Sequence, residues 1–470
     1  MLVVKGMTDF IPPYPKPMAS RGKWYKRLLK PQRFLRWRKC SLAPLTEVSY
    51  SMLLGETGLL HDRIYVANQP DLVQRILVDE AKNFPKSGVI AEMLELLMGD
   101  SIFVSNGEVW KRQRRMMDPA FEATRIRVVF DLMMQAVDSL LERIARMADG
   151  RELAIDTEMT HVTADIIFRT IFSKPLSAEE ARLIYDAFIR FQETAFSHGM
   201  TKTVGFPSLF TTFRQKKARS AAIEIRGVLD PLVKERYDSF HKGERQTHQD
   251  ILQALISIKD PETGTHFDFR ELCEQVAMLF LAGHETSASS LGWALWLLAM
   301  QPKIQERVHA ETVKVLGQER PQFSHMKRLS LTRNVFSEAL RLYPPVAFLP
   351  RTAACPVKLR DKSIGIGSII SVSPWLIQRH RRYWNKPDVF DPDRFDRRES
   401  TDSLRQAYLP FSKGPRVCLG AAFALQEATL ILGNLCRSFR FDPVEGFEPK
   451  PIGRLTVRSE NGIRLKITKR

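Results

Sequence analysis

Cysteine is scarce in this chain: five among 470 residues, at Cys40, Cys273, Cys355, Cys418 and Cys436. An odd number, widely scattered, excludes a disulfide scaffold and points to a reducing compartment. Long apolar runs are scarcer still. The one such stretch, near 276–300, is interrupted by His284, Glu285 and Thr286, and a charged group at the middle of a bilayer costs roughly 3 kcal/mol. The N-terminus, MLVVKGMTDFIPPYPKPM, lacks an apolar core long enough for a secretory signal and runs straight into prolines. These absences predict a soluble, cytoplasmic protein. Internal repeats and low-complexity linkers are also missing. The only candidate phosphate loop, GIGSII at 365–370, fails the G-x-G-x-x-G template at its last position, and no strand–helix unit follows. A dinucleotide-binding fold is rejected.

What is present is ordinary for a folded globular chain: 44% hydrophobic and 26% charged residues. Lys and Arg number 71 against 53 Asp and Glu, a net charge of +18. That excess favours an acidic partner: nucleic acid, an anionic membrane surface or an acidic protein. No nucleic-acid recognition motif accompanies the charge, so nucleic acid is excluded. Residues 20–38 mix basic side chains with Trp24, Tyr25, Phe34 and Trp37. The stretch suits a weak membrane-surface contact or, the favoured reading, a solvated basic leader packed on the body.

Periodicity organises the rest. Residues 57–68 read as a hairpin of short strands, and PDLVQRILVDEAKNFP as a helix opened by Pro70 and Asp71. Apolar residues at i, i+3 and i+4 predict helices over 126–146, 156–172, 178–197, 214–240, 246–258, 268–300, 302–315 and 331–343. Residues 352–373 alternate as short strands, 384–396 form a Pro- and Asp-rich loop, 419–438 read as a helix and 452–468 as strands. The expected architecture is mainly α with a minor β portion: one large domain over 45–470 behind a basic leader, 1–44.

Four segments carry chemistry. In FSKGPRVCLG, 411–420, Cys418 opens an apolar helix, where amide N–H groups and the helix dipole favour a thiolate. Gly414 permits a tight loop, Gly420 lets a flat body approach the backbone, and Arg416 can hold an anionic group of the same ligand. Taken alone, a cysteine opening a helix is more often a small core residue. Zinc is excluded, because no second Cys or His lies at ligand spacing. In LFLAGHETSASS, 279–290, Gly283 thins the helix and Thr286 can return its hydroxyl to the carbonyl of Ala282. Glu285 adds an ionisable group to an apolar element, which is costly unless paired or used; His284 reads as a satisfied histidine. Glu338 and Arg341 share one helical face at i, i+3, and flanking apolar residues argue for a buried pair with Arg394 as third partner. Trp110 and Arg114, four apart, present an indole N–H and a guanidinium on one face, suited to a carboxylate or phosphate.

Together these residues resemble the cytochrome P450 family from about residue 45 onward. Phe411-x-x-Gly414-x-Arg416-x-Cys418-x-Gly420 agrees with that family's cysteine-loop signature, Ala282-Gly283-x-Glu285-Thr286 with its oxygen-activation motif, and Glu338-x-x-Arg341 with Arg394 with its structural triad. The resemblance implies haem b held by Cys418 between the long central helix and the cysteine-loop helix. It implies that Phe411 shields the sulfur and that Trp110, Arg114, Arg351 and Arg416 neutralise the propionates. It implies that Glu285 and Thr286 deliver protons so that one atom of bound O₂ leaves as water and peroxide is not released. The implied reaction is hydroxylation of a hydrophobic substrate by one oxygen atom of O₂, in a monomer. Little of the chain is left for a fused reductase, so electrons are expected from an acidic ferredoxin or flavodoxin docked on Lys111, Arg112, Arg115 and Lys413. Val89, Ile90, Phe191, Phe280, Val346 and Phe348 are candidates, by position, for a lipid-, terpenoid- or steroid-like substrate pocket, each against an alternative as ordinary core. A peroxide-dependent peroxygenase and a non-catalytic haem sensor are the competing readings.

Overall fold

Two short strands open the body, β1 (Leu54–Leu59) and β2 (Asp62–Ala67), paired antiparallel with Leu54 opposite Ala67. The structure is a computed structural model that describes residues 9–17, 39–59, 62–203, 209–397 and 401–470. Pro70 is the first residue of α1 (Pro70–Gln74), where its missing N–H costs nothing. The helix expected beyond it changes pitch, because Arg75–Asp79 winds as a wider π turn. Next come α2 (Gly88–Met98), α3 (Gly107–Met117), α4 (Ala123–Val128), α5 (Phe130–Met147), β3 (Asp149–Ala154), α6 (Ile155–Phe172), α7 (Ala178–Thr203) and α8 (Leu209–His241). The sequence separates α4 from α5 poorly: a single residue, Val129, breaks the period. α9 (Ile251–Ser257) starts later than the expected 246, because the Asp250 carboxylate accepts the Gln253 N–H at 2.9 Å and fixes the helix start there.

The axis of the molecule is α10 (Phe269–Met300). The Asp268 carboxylate accepts the Glu271 N–H at 2.7 Å, and the Glu271 carboxylate accepts the Asp268 N–H at 3.0 Å, closing a capping box. From Leu272 to Ala299 it is buried on nearly every side, as expected of a helix apolar all round. It packs most extensively on α6 and also touches α2, α8 and β8. Pro302 ends it and starts α11 (Pro302–Leu316). Then follow α12 (Ser330–Leu342), β4 (Leu349–Thr352), β5 (Val357–Leu359), β6 (Lys362–Ile364), β7 (Ile369–Val372), α13 (Pro374–Ile377), α14 (Thr401–Ala407) and α15 (Ala421–Ser438). The chain closes with β8 (Phe439–Pro443), β9 (Pro451–Gly453), β10 (Val457–Ser459) and β11 (Arg464–Lys469).

The sheets are small. A four-stranded sheet has the order β1-β2-β7-β4 with only β2 and β7 parallel, and β3-β11-β8 form a second. The apolar interior divides accordingly. A large cluster surrounds α10, and a smaller one, around Tyr65, Val73, Ile370 and Trp384, sits under the first sheet. The architecture is mainly α with a minor β portion.

Residues on either side of the basic stretch pack on the body. Phe10 lies 5.9 Å from Trp296, Tyr343 donates its hydroxyl to the Pro13 carbonyl at 2.6 Å, and the Ser41 N–H reaches the Gly453 carbonyl at 2.7 Å. The basic, aromatic stretch 20–38 lies outside the described residues. Among the described residues no helix is long and apolar enough to cross a membrane.

Candidate functional site

The loop before α15 is shaped to present one sulfur. The Cys418 N–H donates to the Phe411 carbonyl at 2.9 Å, and the Val417 N–H to that of Gly414 at 3.0 Å. Gly414 has φ +73°, and a Cβ there would run into the Leu77 carbonyl oxygen, so only glycine fits. Gly420, at the start of α15, has no atom within 4 Å of the place a Cβ would occupy. Cys418 faces open space, yet so deep in the molecule that burial pushes its thiol pKa up; the Gly420 N–H and the charges of Arg114 and Lys86 pull it the other way. Phe411 is half-buried against the main core.

Four cations converge on this sulfur. The Arg416 guanidinium lies 4.2 Å from the Trp110 ring centroid and donates to the Ser105 carbonyl at 2.9 Å and to Asn106 Oδ1 at 2.8 Å. Asn106 also binds the backbone of Lys86, whose ammonium donates to the Phe103 carbonyl and sits 4.1 Å from that ring's centroid. Lys86 in turn bridges to Arg351, which is buried on β4. Arg114 donates to the Val417 carbonyl at 2.8 Å and pairs with Asp118 at 2.6 Å. Burial lowers the Arg351 pKa to about 10; burial and the charges of Arg351 and Arg114 lower that of Arg416 to about 10. Burial and the charges of Arg416 and Arg351 hold Lys86 well below the ordinary lysine range. Among the described residues none of Lys86, Arg351 and Arg416 has a carboxylate partner. Unpaired buried cations repel one another and are expensive unless an anion joins them. One thiol, an indole and several uncompensated cations fit a flat, iron-bearing dianion lying against Cys418.

Lys86 escapes detection in the sequence, because a single lysine between α1 and α2 has no motif around it. Its link to Asn106 and Arg351 is made only by folding.

On α10, Thr286 donates its hydroxyl to the Ala282 carbonyl at 2.8 Å, the back-bond expected from the sequence. Gly283 faces α6, where a Cβ would meet Ile167 at 3.0 Å, so its role here is helix–helix approach. His284 is buried, its Nδ1 2.7 Å from the Phe280 carbonyl and its ring against Phe188 and Phe280. Glu285 is buried too. Its carboxylate accepts the Thr456 hydroxyl at 2.8 Å and lies 3.6 Å from Arg458, both on or beside the β9–β10 hairpin. Neither partner was legible in the sequence, since 171 residues separate Glu285 from Thr456.

The third motif assembles as expected. Arg341 grips the Glu338 carboxylate with two bonds of 2.7 and 2.8 Å, and Arg394 adds one at 3.0 Å. All three side chains are buried. The remaining Arg341 donors bind the carbonyls of Gln378 at 2.8 Å, Pro387 at 2.6 Å and Val389 at 3.0 Å. The triad therefore staples the 384–396 loop to α12.

The candidate pocket residues divide. Phe191 and Phe280 are fully buried within the main core cluster, with Phe280 packed edge-on to Phe168. Val89, Ile90, Val346 and Phe348 are half-buried. Ala282 is half-buried on α10. Three of the four candidate docking cations are paired within the chain. Lys111 pairs with Glu108 at 2.7 Å, Arg112 with Glu271 at 2.5 Å, and Arg115 with Asp260 and Glu262 at 3.0 and 2.9 Å. Lys413 instead donates to the Arg405 carbonyl at 3.1 Å.

Comparisons with known proteins agree with this geometry. The family model described as Cytochrome P450 matches residues 54–467. Cyclooctatin synthase of Streptomyces melanosporofaciens is 31% identical over 388 residues, covering 83% of both chains. Cyclooctat-9-en-7-ol 5-monooxygenase of the same organism is 31% identical over 84% of this chain and 83% of its own. Pentalenene oxygenase of Streptomyces avermitilis is 29% identical, over 86% and 88%. The crystal structure of the cytochrome P450DA heme domain shares the fold with a TM-score of 0.78 over 89% of this chain and 90% of its own, at 24% identity.

Proposed function

The chain belongs to the cytochrome P450 family and is a monooxygenase; from that premise we propose that it hydroxylates a terpenoid-like hydrocarbon, with electrons from a separate acidic ferredoxin or flavodoxin. The observation that carries this reading is the sulfur of Cys418 set among Lys86, Arg114, Arg351 and Arg416. These residues would hold haem b: Cys418 as the thiolate ligand, Trp110 and the four cations around the propionates, Phe411 shielding the sulfur. Bound there, the thiolate-ligated haem supplies the O–O cleavage by which one atom of O₂ enters the substrate and the other leaves as water, at a cost of two electrons and two protons.

The chain's own residues do the rest. The open approach at Gly420 admits the macrocycle against the backbone. The Thr286 hydroxyl is held over the Ala282 carbonyl, which fixes its position while its lone pairs stay available to water. Glu285, one residue earlier, is the ionisable group nearest that hydroxyl along the helix. Together they order water and hand protons forward, so that the electron pair is spent on water and not on peroxide. The half-buried Val89, Ile90, Val346 and Phe348 offer apolar surface without donors, which suits a hydrocarbon skeleton. The names of the three Streptomyces relatives point the same way.

The test is the reduced, CO-bound spectrum and product formation with a surrogate reductase. The parent is expected to give the red-shifted band of a thiolate ligand and a hydroxylated terpenoid. Cys418→Ser is expected to lose both; a Cys418→Ser protein with an unaltered spectrum would overturn the assignment. Thr286→Ala is expected to keep the spectrum while most of its electrons appear as peroxide, and unchanged coupling would remove Thr286 from the proton path.

A further inference from the structure

A pocket of about 270 Å³ opens between α4 and α9, and none of its lining residues belongs to the haem or dioxygen machinery. That volume lies below the roughly 300–1,000 Å³ of pockets that enclose drug-sized ligands, so it suits a smaller metabolite. Pro119 and Ala120, ahead of α4, and Ala254 and Ile258, on and beside α9, give it apolar wall. Its polar lining includes Arg125, His248, Asp250, Gln253 and Ser257. Asp250 is already committed. Its carboxylate accepts the Ser173 hydroxyl at 2.7 Å, the Gln253 N–H at 2.9 Å and the Arg236 guanidinium, with His248 4.0 Å away. Arg125 is exposed and has no carboxylate partner among the described residues. Gln253 is 8% exposed. Its amide nitrogen donates to the Ser257 hydroxyl oxygen at 3.0 Å, and that hydroxyl spends its own proton on the Gln253 carbonyl at 2.8 Å. Turning the amide round would set its oxygen against a hydroxyl with no proton left to give, so the orientation is fixed. Gln253 Oε1 is therefore left buried without a donor. An unpaired buried acceptor is costly, and a molecule seated in the pocket that Gln253 lines can supply the missing donor.

We propose that this pocket is a second small-molecule site, and that it binds a carboxylate with a hydrogen-bond donor on the neighbouring carbon and an apolar body. The carboxylate pairs with the free guanidinium of Arg125, a charge-assisted contact that a planar fork makes well. The donor satisfies Gln253 Oε1, and the body lies on Pro119, Ala120, Ala254 and Ile258. α-Hydroxy acids and α-amino acids are the two sources of that chemistry. The site borders both anchors of the last turn of α3. Pro119 follows Asp118, which pairs with Arg114 at 2.6 Å, and Ile258 stands two residues before Asp260, which pairs with Arg115 at 3.0 Å.

The experiment uses haem-loaded protein whose haem site is filled beforehand with a nitrogen ligand, 4-phenylimidazole, so that only a second site can respond. The probes are phenyllactate, phenylalanine and 3-phenylpropanoate, the last without the donor. By calorimetry, phenyllactate or phenylalanine is expected to bind about tenfold more tightly than 3-phenylpropanoate, the worth of one hydrogen bond to a buried acceptor. Whichever of the two binds tighter identifies the donor as hydroxyl or ammonium. Arg125→Gln, at an exposed position, is expected to weaken every probe that binds. Gln253→Met removes the acceptor and is expected to bring the three affinities together. Hydrogen exchange of the saturated parent is expected to slow in 117–126 and 246–259 and to stay unchanged in the cysteine loop, 411–420. This map and the Arg125 variant decide the matter even where Gln253→Met fails to fold. No binding, equal affinity of the parent for all three probes, or unslowed exchange in 117–126 and 246–259 would overturn the site.

Discussion

At the scale of single residues, the buried carboxyl of Glu427 shows what the interior of α15 tolerates. It is fully enclosed; one oxygen has no hydrogen-bond partner, and burial raises its pKa to about 8, opposed by a hydrogen bond from Ser287. The folded state thus keeps its proton at pH values where the unfolded chain, with an ordinary pKa of 4.5, has lost it. Between those two values the native state binds more protons than the unfolded one, so stability falls as pH rises, by about 1.4 kcal/mol for each pH unit. Glu427→Gln is isosteric and cannot ionise. Urea unfolding at pH 6 and pH 8 is expected to show the parent losing stability across that interval and the variant losing much less; parallel losses would contradict the buried, neutral carboxyl. Legibility at this scale followed motif membership. Cys418, Thr286, Glu338, Arg341 and Arg394 could be picked out because they stand in motifs that resemble those of a known family. Lys86, Arg458 and Glu427 could not, because nothing local marks them: each matters through neighbours that arrive from distant segments.

At the scale of elements, the long helices were readable wherever a cap or a proline coincided with the apolar period. α10 was expected over 268–300 and spans Phe269–Met300, between the Asp268 capping box and Pro302. α2 carries the pocket candidates Val89 and Ile90, but its sequence does not mark it as a helix. Its N-cap Ser87 makes no side-chain bond, and the apolar residues of GVIAEMLELLM crowd all round. β3 was missed for a different reason. Its exposure pattern does not alternate, and it exists because Ala154 and Leu153 find Arg464 and Leu465 more than 300 residues away. The triad is the element-scale device with the clearest consequence. Glu338→Gln removes the one anion facing two buried guanidiniums, and breaking such a pair typically costs about 3–5 kcal/mol. The 384–396 loop is expected to loosen from α12. The measurement is chemical denaturation together with the rate of haem loss to a scavenger protein. A variant within about 1 kcal/mol of the parent, the usual value of an exposed pair, would show that the triad is not a structural clamp.

At the scale of the whole molecule, the net charge of +18 sets a long-range attraction for any acidic electron donor, but it does not say which cations the donor meets. Three of the four candidates on the thiolate side are already matched by carboxylates of the same chain: Lys111 by Glu108, Arg112 by Glu271 and Arg115 by Asp260 and Glu262. Asp260 illustrates the strength of that matching, because hydrogen bonds from Arg115 hold its pKa down to about 2. A matched pair presents a dipole, not a net charge, and its field decays quickly. Lys413, three residues from Arg416 on the cysteine loop, has no carboxylate partner among the described residues; its ammonium donates to the Arg405 carbonyl. Charge complementarity acts mainly on encounter rate, and salt weakens it over a Debye length of about 10 Å at 0.1 M. Lys413→Ala is therefore expected to slow reduction by an acidic ferredoxin several-fold at low ionic strength, and the deficit is expected to close as salt is added. The double variant Glu108→Ala/Lys111→Ala removes a neutral pair and is expected to track the parent at every salt concentration. Stopped-flow reduction under CO reads both directly. A Lys413→Ala enzyme reduced at the parent rate in low salt, with the double variant impaired, would move the docking site from the cysteine loop to the surface of α3.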